Sequence, residues 1–323
     1  MRAAVLTRAG LEIAEVPDPV PAAGEVLIEV RAVSASRLEL EQTMTGTGLG
    51  SIVQLPRVLG MDPAGVVVAA GPGVDQGRVC QRVAVKPNLV CGSCAYCRNG
   101  AEADCPEQGV LGVHRDGGAA RLVTVPASLA FPVAGTLSFA AAAAAVHSVS
   151  VALHMLRAAG PLTAAGTVLV LGASGAVGSA AAQLAAHFGA RVTTAVSDPA
   201  TLPAAIGYDG LAACGPVDAV LDTTGDSQIL TAAIGLLGWK GTAVTCASRN
   251  GPATVDIGAL YRGRRTLTGV AASDFADVRD ALSLVAAGAV VPRIAATFPL
   301  PQAAAAYAAL ADRRTPGKVL MVI

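Results

Sequence analysis

The sequence predicts an α/β chain, in which a turn-rich β region is followed by a doubly wound parallel sheet. Three observations carry this. Residues 1 to about 135 show short β-branched or alternating runs punctuated by Pro and Gly. From Val168 onward, apolar strands alternate with helical stretches, the pattern of parallel sheets with crossover helices. Between them, Val168–Gly189 reads VLVLGASGAVGSAAAQLAAHFG, a strand, a glycine turn and a helix in succession.

That stretch organises the rest. Val168 to Leu171 reads as a buried parallel strand. The turn is Gly172-Ala173-Ser174-Gly175-Ala176-Val177-Gly178, and Val177 to Phe188 then runs without a breaker to Gly189. In this context the glycines have separate jobs. Gly172 permits the sharp turn, Gly175 lets a pyrophosphate approach the main chain, and Gly178 lets helix and strand pack closely. The N–H groups and dipole of the helix start then face the phosphates. Dinucleotide binding is the expectation, against a purely structural tight turn.

Composition limits the alternatives. The chain has 323 residues, enough for two domains, and its 23 basic and 23 acidic residues give zero net charge. No basic stripe points to nucleic acid. The longest apolar stretch, Leu137–Leu156, is rich in alanine and carries His147, Ser148, Ser150 and His154, so it reads as a buried or interfacial helix and not a membrane span. The start, MRAAVLTRAGLEIAEV, reads as a strand and hairpin and not a signal peptide, and the cytoplasm is the expected compartment.

In chain order, the expected strands of the β region are Ala3–Leu6, Leu11–Val16, Glu25–Val33, Gly65–Ala69 and Gln81–Val85. Ser36–Met44 reads as a short helix and 46–51 as a Gly-rich loop. Cys91, Cys94, Cys97 and Cys105 follow with the spacing Cys-x2-Cys-x2-Cys-x7-Cys. Four thiolates complete a tetrahedral zinc and leave no open position, which is a structural site. Disulfides are the competing reading, but three cysteines on one tight loop are poorly placed to bridge one another. Val110–Pro126 returns to strand around a Gly117-Gly118 turn, and from Leu137 the pattern is helical until Gly160-Pro161. After the glycine turn come strands Arg191–Val196, Val217–Leu221, Thr242–Cys246 and Leu267–Val270, with helices at Thr201–Ile206 and Gln228–Leu237. Helices at Phe275–Ala287 and Pro301–Leu310 and a strand at Lys318–Ile323 close the chain.

The chain resembles the medium-chain dehydrogenase/reductase superfamily, the zinc alcohol dehydrogenases and quinone oxidoreductases. PVPAAGEVLIEV, the four-cysteine loop, LGASGAVG, the Lys240-Gly241 turn and the ending FPLPQAAAAYAALADRRTPGKVLMVI carry the resemblance across nearly the whole length. It implies a GroES-like β catalytic domain over 1–146, completed by 271–323, and a Rossmann cofactor domain over 147–270, with an active-site cleft between them. It also implies a small-molecule substrate and a homo-oligomer, a dimer or tetramer.

The resemblance fails at an informative place. Zinc alcohol dehydrogenases of this family hold a catalytic zinc by a Cys, a His in a Gly-His-Glu motif, and a later Cys or Asp. Here those positions fall on Ser36, on Met61 with Asp62 in place of Glu, and on or next to His147. A hydroxyl and a thioether are poor zinc ligands, and His147 with Asp62 leaves too few. The expectation is one structural zinc and no catalytic zinc. Zinc-free members usually reduce a C=C bond conjugated to a carbonyl, or a quinone. Ser36, Asp62 and His147 are then the candidate catalytic residues, with His147 a possible proton donor. A zinc alcohol dehydrogenase with unusual ligands, and a non-catalytic cofactor-binding protein, are the alternatives. His114, Tyr208 and Tyr261 receive no functional role.

The second strand of the cofactor region ends in Val196-Ser197 without the acidic residue that binds a ribose 2′-OH, and Asp198 comes late, before Pro199. With the resemblance to quinone reductases, this favours NADP(H) over NAD(H), with Ser197 beside the 2′-phosphate. Thr223 and Thr224 should touch the adenosine side, and Cys246, Ala247 and Ser248 should border the nicotinamide. Arg37 and Lys318 match basic positions near the cofactor phosphates.

Overall fold

The computed structural model describes residues 1–39, 54–161, 166–312 and 316–323. The 46–51 loop and most of the Ser36–Met44 helix lie outside them. The chain falls into two compact units, Met1–His147 with Arg293–Ile323, and Ser148–Pro292. The helix Phe275–Ala286 packs on Ser148–Ala158 inside the second unit, so the chain rejoins the first unit at Arg293 rather than at residue 271.

The first unit is built on strand Glu25–Ala35. Its first half alternates, with Val26, Ile28 and Val30 buried and Glu25, Leu27 and Glu29 partly exposed, as in a sheet with one wet face. Its last four residues, Ala32 to Ala35, are all buried. Helix Phe139–Ala145 packs over this end, and Ala142 to Ala145 let it approach closely because they carry only methyl groups. Ser138 starts that helix by accepting the N–H of Ala141 at 3.1 Å. Glu25–Ala35 pairs antiparallel with Asp62–Ala70 on one side and with Lys318–Val322 on the other. Lys318–Val322 pairs in turn with Ile294–Pro299, a parallel strand that the sequence pattern does not announce. A two-strand ladder, Asn88–Leu89 with Gly109–Val110, brackets the cysteine loop.

The second unit carries a six-stranded, all-parallel sheet. Its spatial order is Ile206–Gly207, Arg191–Val196, Thr167–Leu171, Val217–Asp222, Leu237–Thr245 and Thr266–Gly269. Chain order therefore runs outward from Thr167–Leu171 in both directions, the doubly wound topology. The crevice at its switch point lies beyond the carboxyl ends of Thr167–Leu171 and Val217–Asp222. Where a helix over Thr201–Ile206 is expected, the structure has a 3-10 turn at Pro199–Thr201 and the edge strand Ile206–Gly207. The Pro199 and Pro203 rings remove donors that a longer helix would need. The crossover helix spans Ser227–Gly235, and the next strand begins already at Leu237.

The apolar stretch forms two helices, Phe139–Ala145 and Ser148–Ala158. By length and composition Phe139–Ala158 could cross a membrane, but 72% of its most apolar window is buried within the protein.

The glycine turn shows which glycines are obligatory. Gly172 has φ +79°, and a Cβ there would meet Thr223 Oγ1 at 2.6 Å. A Cβ at Gly178 would lie 2.3 Å from the carbonyl oxygen of Gly172. Gly175 is different: a Cβ would meet only the Gly172 oxygen, at 3.3 Å. Gly178→Ala should therefore destabilise the protein by about 1–3 kcal/mol through overpacking against backbone. Urea denaturation checks this, and a change under about 0.5 kcal/mol, the ordinary surface range, contradicts the packing argument.

Candidate functional site

Strand register assembles the first site. Ser34 is directly opposite Asp62 in one ladder and opposite Leu320 in the other. Three strands remote in sequence thus bring Ser34, Asp62 and Lys318 together. Lys318 Nζ donates to Asp62 Oδ2 at 2.5 Å and to Ser34 Oγ at 3.1 Å, and the Ser34 hydroxyl also donates to Asp62 Oδ2 at 2.5 Å. Asp62 is fully buried and Lys318 only 8% exposed. Burial alone would raise the Asp62 carboxyl. The Lys318 ammonium, supported by His147 and the two hydrogen bonds, holds it below its ordinary value. Asp62 Oδ1 is buried with no hydrogen-bond partner among the described residues.

His147 follows helix Phe139–Ala145 and lies in the field of these groups. Burial pushes its imidazole down to about 4. Asp62 opposes that shift, while the ammonium groups of Lys318 and Lys86 add to it. At neutral pH the ring is therefore neutral, and the expected role of imidazolium proton donor does not fit. Lys86 itself is 1% exposed, among the largest fully buried side chains of the protein.

Met61 points elsewhere. It is buried in a small apolar cluster with Val110 and Val113, with Leu38 packed against it. Ser36 accepts the N–H of Leu38 at 3.3 Å, which leaves its O–H as a donor. These donors do not fit a catalytic zinc: the thioether belongs to the core, and Asp62 Oδ2 already takes an ammonium and a hydroxyl. Arg37 is exposed on the helical turn after Ser36. Lys318, expected at a cofactor pyrophosphate, has its ammonium seated on Asp62 and Ser34 instead.

The cysteine loop fits a metal closely. All four Sγ atoms lie within 4.8 Å of one another, with Cys91 3.9 Å from Cys97 and 3.7 Å from Cys105. A tetrahedral zinc with Zn–S near 2.3 Å sets its sulfurs about 3.8 Å apart. Disulfide sulfurs would be bonded at about 2.05 Å, so bridging is excluded for these pairs. Backbone N–H groups of Ser93 and Cys94 point at Cys91 Sγ, at 3.4 and 3.3 Å, and lower its thiol to about 6. Cys94 caps the short helix Ala95–Arg98, which returns Cys97 to the cluster. His114 Nδ1 accepts the N–H of Val110 at 2.9 Å, a structural role. A second group, His154 with Asp274 and Asp277, is an ion-pair network: Asp277 binds His154 Nδ1 at 2.7 Å and also the Arg157 guanidinium.

In the second unit the turn Gly172–Gly178 leads into helix Ala176–His187, whose N-cap Gly175 offers no side-chain hydrogen bond. The helix start thus keeps its N–H groups for an anion, and at Gly175, where a Cβ would meet only the Gly172 oxygen at 3.3 Å, main chain is bare toward a pyrophosphate. Around it, Thr223 Oγ1 donates to the Leu171 oxygen at 2.8 Å, and Thr224 Oγ1 donates to Asp222 Oδ1 at 2.6 Å. Thr245 Oγ1 donates to Asp222 Oδ2 at 2.8 Å, so buried Asp222 ties two strand ends together. Burial, with Asp222, pushes the Cys246 thiol up to about 12, an inert group; Ala247 and Ser248 are exposed beside it. Ser197 is exposed at the end of its strand, while Asp198 accepts the N–H of Ala200 at 3.0 Å and caps the next turn.

Two family models match: an alcohol dehydrogenase GroES-like domain over residues 22–135 and a zinc-binding dehydrogenase over residues 193–321. The chain belongs to the medium-chain dehydrogenase/reductase superfamily. Within it, this chain is 29% identical to acryloyl-coenzyme A reductase of Metallosphaera sedula, over 97% of this chain and 96% of that protein. It is 32% identical to L-galactonate-5-dehydrogenase of Escherichia coli, over 56% of this chain, so it spans about half that relative's length at 52%. A thermostable alcohol dehydrogenase from Pyrobaculum aerophilum superposes with a TM-score of 0.91 at 28% identity, covering 100% of this chain and 99% of that one.

Ser34, Glu39, Lys86 and Asp222 are buried polar residues at the candidate sites that the sequence reading does not single out. A lysine inside the apolar run Val83-Ala84-Val85-Lys86 is the one readable signal, since lysine is almost never fully buried without a reason. Two outcomes test the geometry. Lys318→Met strands a buried carboxylate and should cost about 3–5 kcal/mol in urea denaturation; Asp62→Asn in the same background should recover part of it, and no loss in the single variant contradicts the pairing. Cys97→Ser should abolish zinc binding by the loop, read as metal per chain after dialysis; retention of zinc contradicts the four-thiolate site.

Proposed function

We propose that the chain is an NADP(H)-dependent oxidoreductase that transfers hydride without a catalytic zinc. Its acceptor is the C=C bond of an α,β-unsaturated carbonyl compound or a quinone. The observation that carries this is the Asp62–Lys318 pair, together with Met61 in the core, beside the positions Ser36, Met61 and His147 onto which the resemblance would carry a catalytic zinc. The full-length similarity to an acryloyl-coenzyme A reductase supports an activated alkene as acceptor.

When bound, the cofactor supplies the hydride. Hydride delivered to the β-carbon of the acceptor would leave negative charge on the conjugated oxygen, and a proton from solvent would complete the reduction. The protein's part is electrostatic. Lys86 and Lys318 add positive potential beside a neutral His147, opposed by the Asp62 carboxylate, and the Ser36 O–H is a donor for the oxygen.

The glycine turn supports cofactor binding. NADP(H) over NAD(H) is supported by Ser197 and by the engagement of Asp198 as a cap. Tyr208 directly follows strand Ile206–Gly207, which pairs with Ala195-Val196. Its phenol faces the Gly172 N–H and lies in the field of Arg249, a cation absent from the sequence near Ser197. A homo-oligomer is supported by the outer strand Thr266–Gly269, with Trp239 66% and Tyr261 80% exposed nearby in the same unit. A cytoplasmic location belongs to the same reading.

A second reading is a zinc alcohol dehydrogenase with unusual ligands. Asp62 Oδ1, without a hydrogen-bond partner among the described residues, and the neutral His147 favour it. Steady-state NADPH oxidation separates the two. Turnover with small enones or quinones is expected, at least 100-fold above NADP⁺ reduction by simple alcohols, and Ser36→Ala should lower kcat about tenfold. Metal-dependent alcohol oxidation as the main activity contradicts the proposal.

A further inference from the structure

Glu39 is fully buried, yet it ties three parts of the first unit. Its Oε1 accepts the N–H of Gly60 at 2.5 Å. Its Oε2 accepts the N–H of Ser36 at 3.0 Å and the phenol O–H of Tyr307 at 2.9 Å. Ser36 is the candidate donor, Gly60 leads into Met61-Asp62, and Tyr307 lies on helix Ala303–Ala311, which also packs on the strand that begins with Lys318. The segments that carry Ser36 and Met61-Asp62 therefore meet this carboxylate directly, and the helix of its partner Tyr307 packs on the strand of Lys318. The contact is tight: a Cβ at Gly112 would lie 2.7 Å from Glu39 Oε1, so Gly112, with φ +82°, is held to glycine.

We propose that Glu39 is a positioning residue for the reaction, holding Ser36 and the Gly60-Met61-Asp62 turn in the register that the substrate pocket requires. The proposal rests on the reading that Ser36, Asp62 and His147 line the site of reduction. Glu39 does not reach substrate, being wholly enclosed; it acts through the two main-chain N–H groups and through Tyr307.

All three of its partners donate, which matches an ionised acceptor. Protonation makes one carboxyl oxygen a donor, so at least one of the three bonds must break or the Tyr307 hydroxyl must turn. Among the described residues, the titratable groups that face Glu39 are Tyr307 and Asp62, the latter paired with Lys318; Ser36, Gly60 and Gly112 present uncharged backbone. Burial, partly offset by the three donors, pushes the carboxyl up from 4.5 to about 7. The folded protein therefore holds this proton more tightly than the unfolded chain. The stability that it contributes is complete below about 4.5 and is lost as pH rises through about 7. Activity should run the other way and rise through the same interval, because the ionised form keeps all three ties.

Glu39→Gln and Tyr307→Phe test this by kcat and KM against pH, together with NADPH affinity measured by fluorescence. Glu39→Gln should lower kcat 10- to 100-fold with NADPH affinity unchanged, and the acid-side inflection near pH 7 should vanish. Tyr307→Phe removes one donor and leaves the buried ring in place, so it should fold; its inflection should move above the wild-type value. Wild-type kcat in Glu39→Gln, or an unmoved inflection in Tyr307→Phe, overturns the proposal. Should the wild-type protein reduce no enone or quinone, the functional reading fails by itself. Amide hydrogen exchange at Ser36 and Gly60 in Tyr307→Phe then decides the tie: exchange at least tenfold faster supports it, and unchanged protection overturns it.

Discussion

The ion pair between Asp62 and Lys318 is the interaction on which the first unit's site depends. A carboxylate with no exposure to water is tolerable only if a cation and hydrogen bonds replace the water it has lost. Lys318 and Ser34 supply them at Oδ2. The pair closes a sheet, because it joins the strand that begins at Asp62 to the strand that begins at Lys318 across Glu25–Ala35. It also sets the electrostatics around it. Its carboxylate opposes, without overcoming, the burial that keeps His147 neutral, and the Lys318 and Lys86 ammonium groups add to that burial. A metal would repel those ammonium groups, whereas a developing oxyanion is attracted by them.

Close backbone packing does comparable work in the second unit. The crevice at the sheet's switch point exists because helix Ala176–His187 starts against the carbonyl of Gly172, a distance only Gly178 permits. Its edges are fixed by buried Asp222, which draws Thr224 and Thr245 inward from neighbouring strand ends. The two units thus use different means to the same end. One holds charge in a dry sheet and the other holds bare main chain at a helix start, and each presents a surface that a ligand completes.

Much of this was legible in the sequence wherever it depended on neighbours in the chain. The strand, turn and helix around Val168–Gly189 are local, and so is the Cys91–Cys105 loop, whose spacing alone specifies four sulfurs around one point. The departures at Ser36 and Met61 were legible too, because they are read against a family pattern. What escaped depends on register between distant strands. Lys318 meets Asp62 across 256 positions, and no local pattern distinguishes a lysine that pairs inside a sheet from one that faces a phosphate. Glu39 has no distinguishing mark within the expected Ser36–Met44 helix, and its role is visible only from its bonds to Tyr307 and Gly60. Strand Ile294–Pro299 and helix Ile257–Gly263 were missed for a related reason: their residues are mostly half-exposed, so the apolar periodicity that marks an element is faint.

The account's central claim is that the Asp62–Lys318 ion pair, and not a metal, fills the centre of the first unit's site. Anomalous diffraction at the zinc absorption edge, on crystals grown with excess zinc and NADPH, tests this most directly. One peak, at the centre of Cys91, Cys94, Cys97 and Cys105, is the predicted result. A second peak between Asp62 and His147, with Lys318 displaced from the carboxylate, would contradict it and make metal-assisted alcohol oxidation the function to pursue.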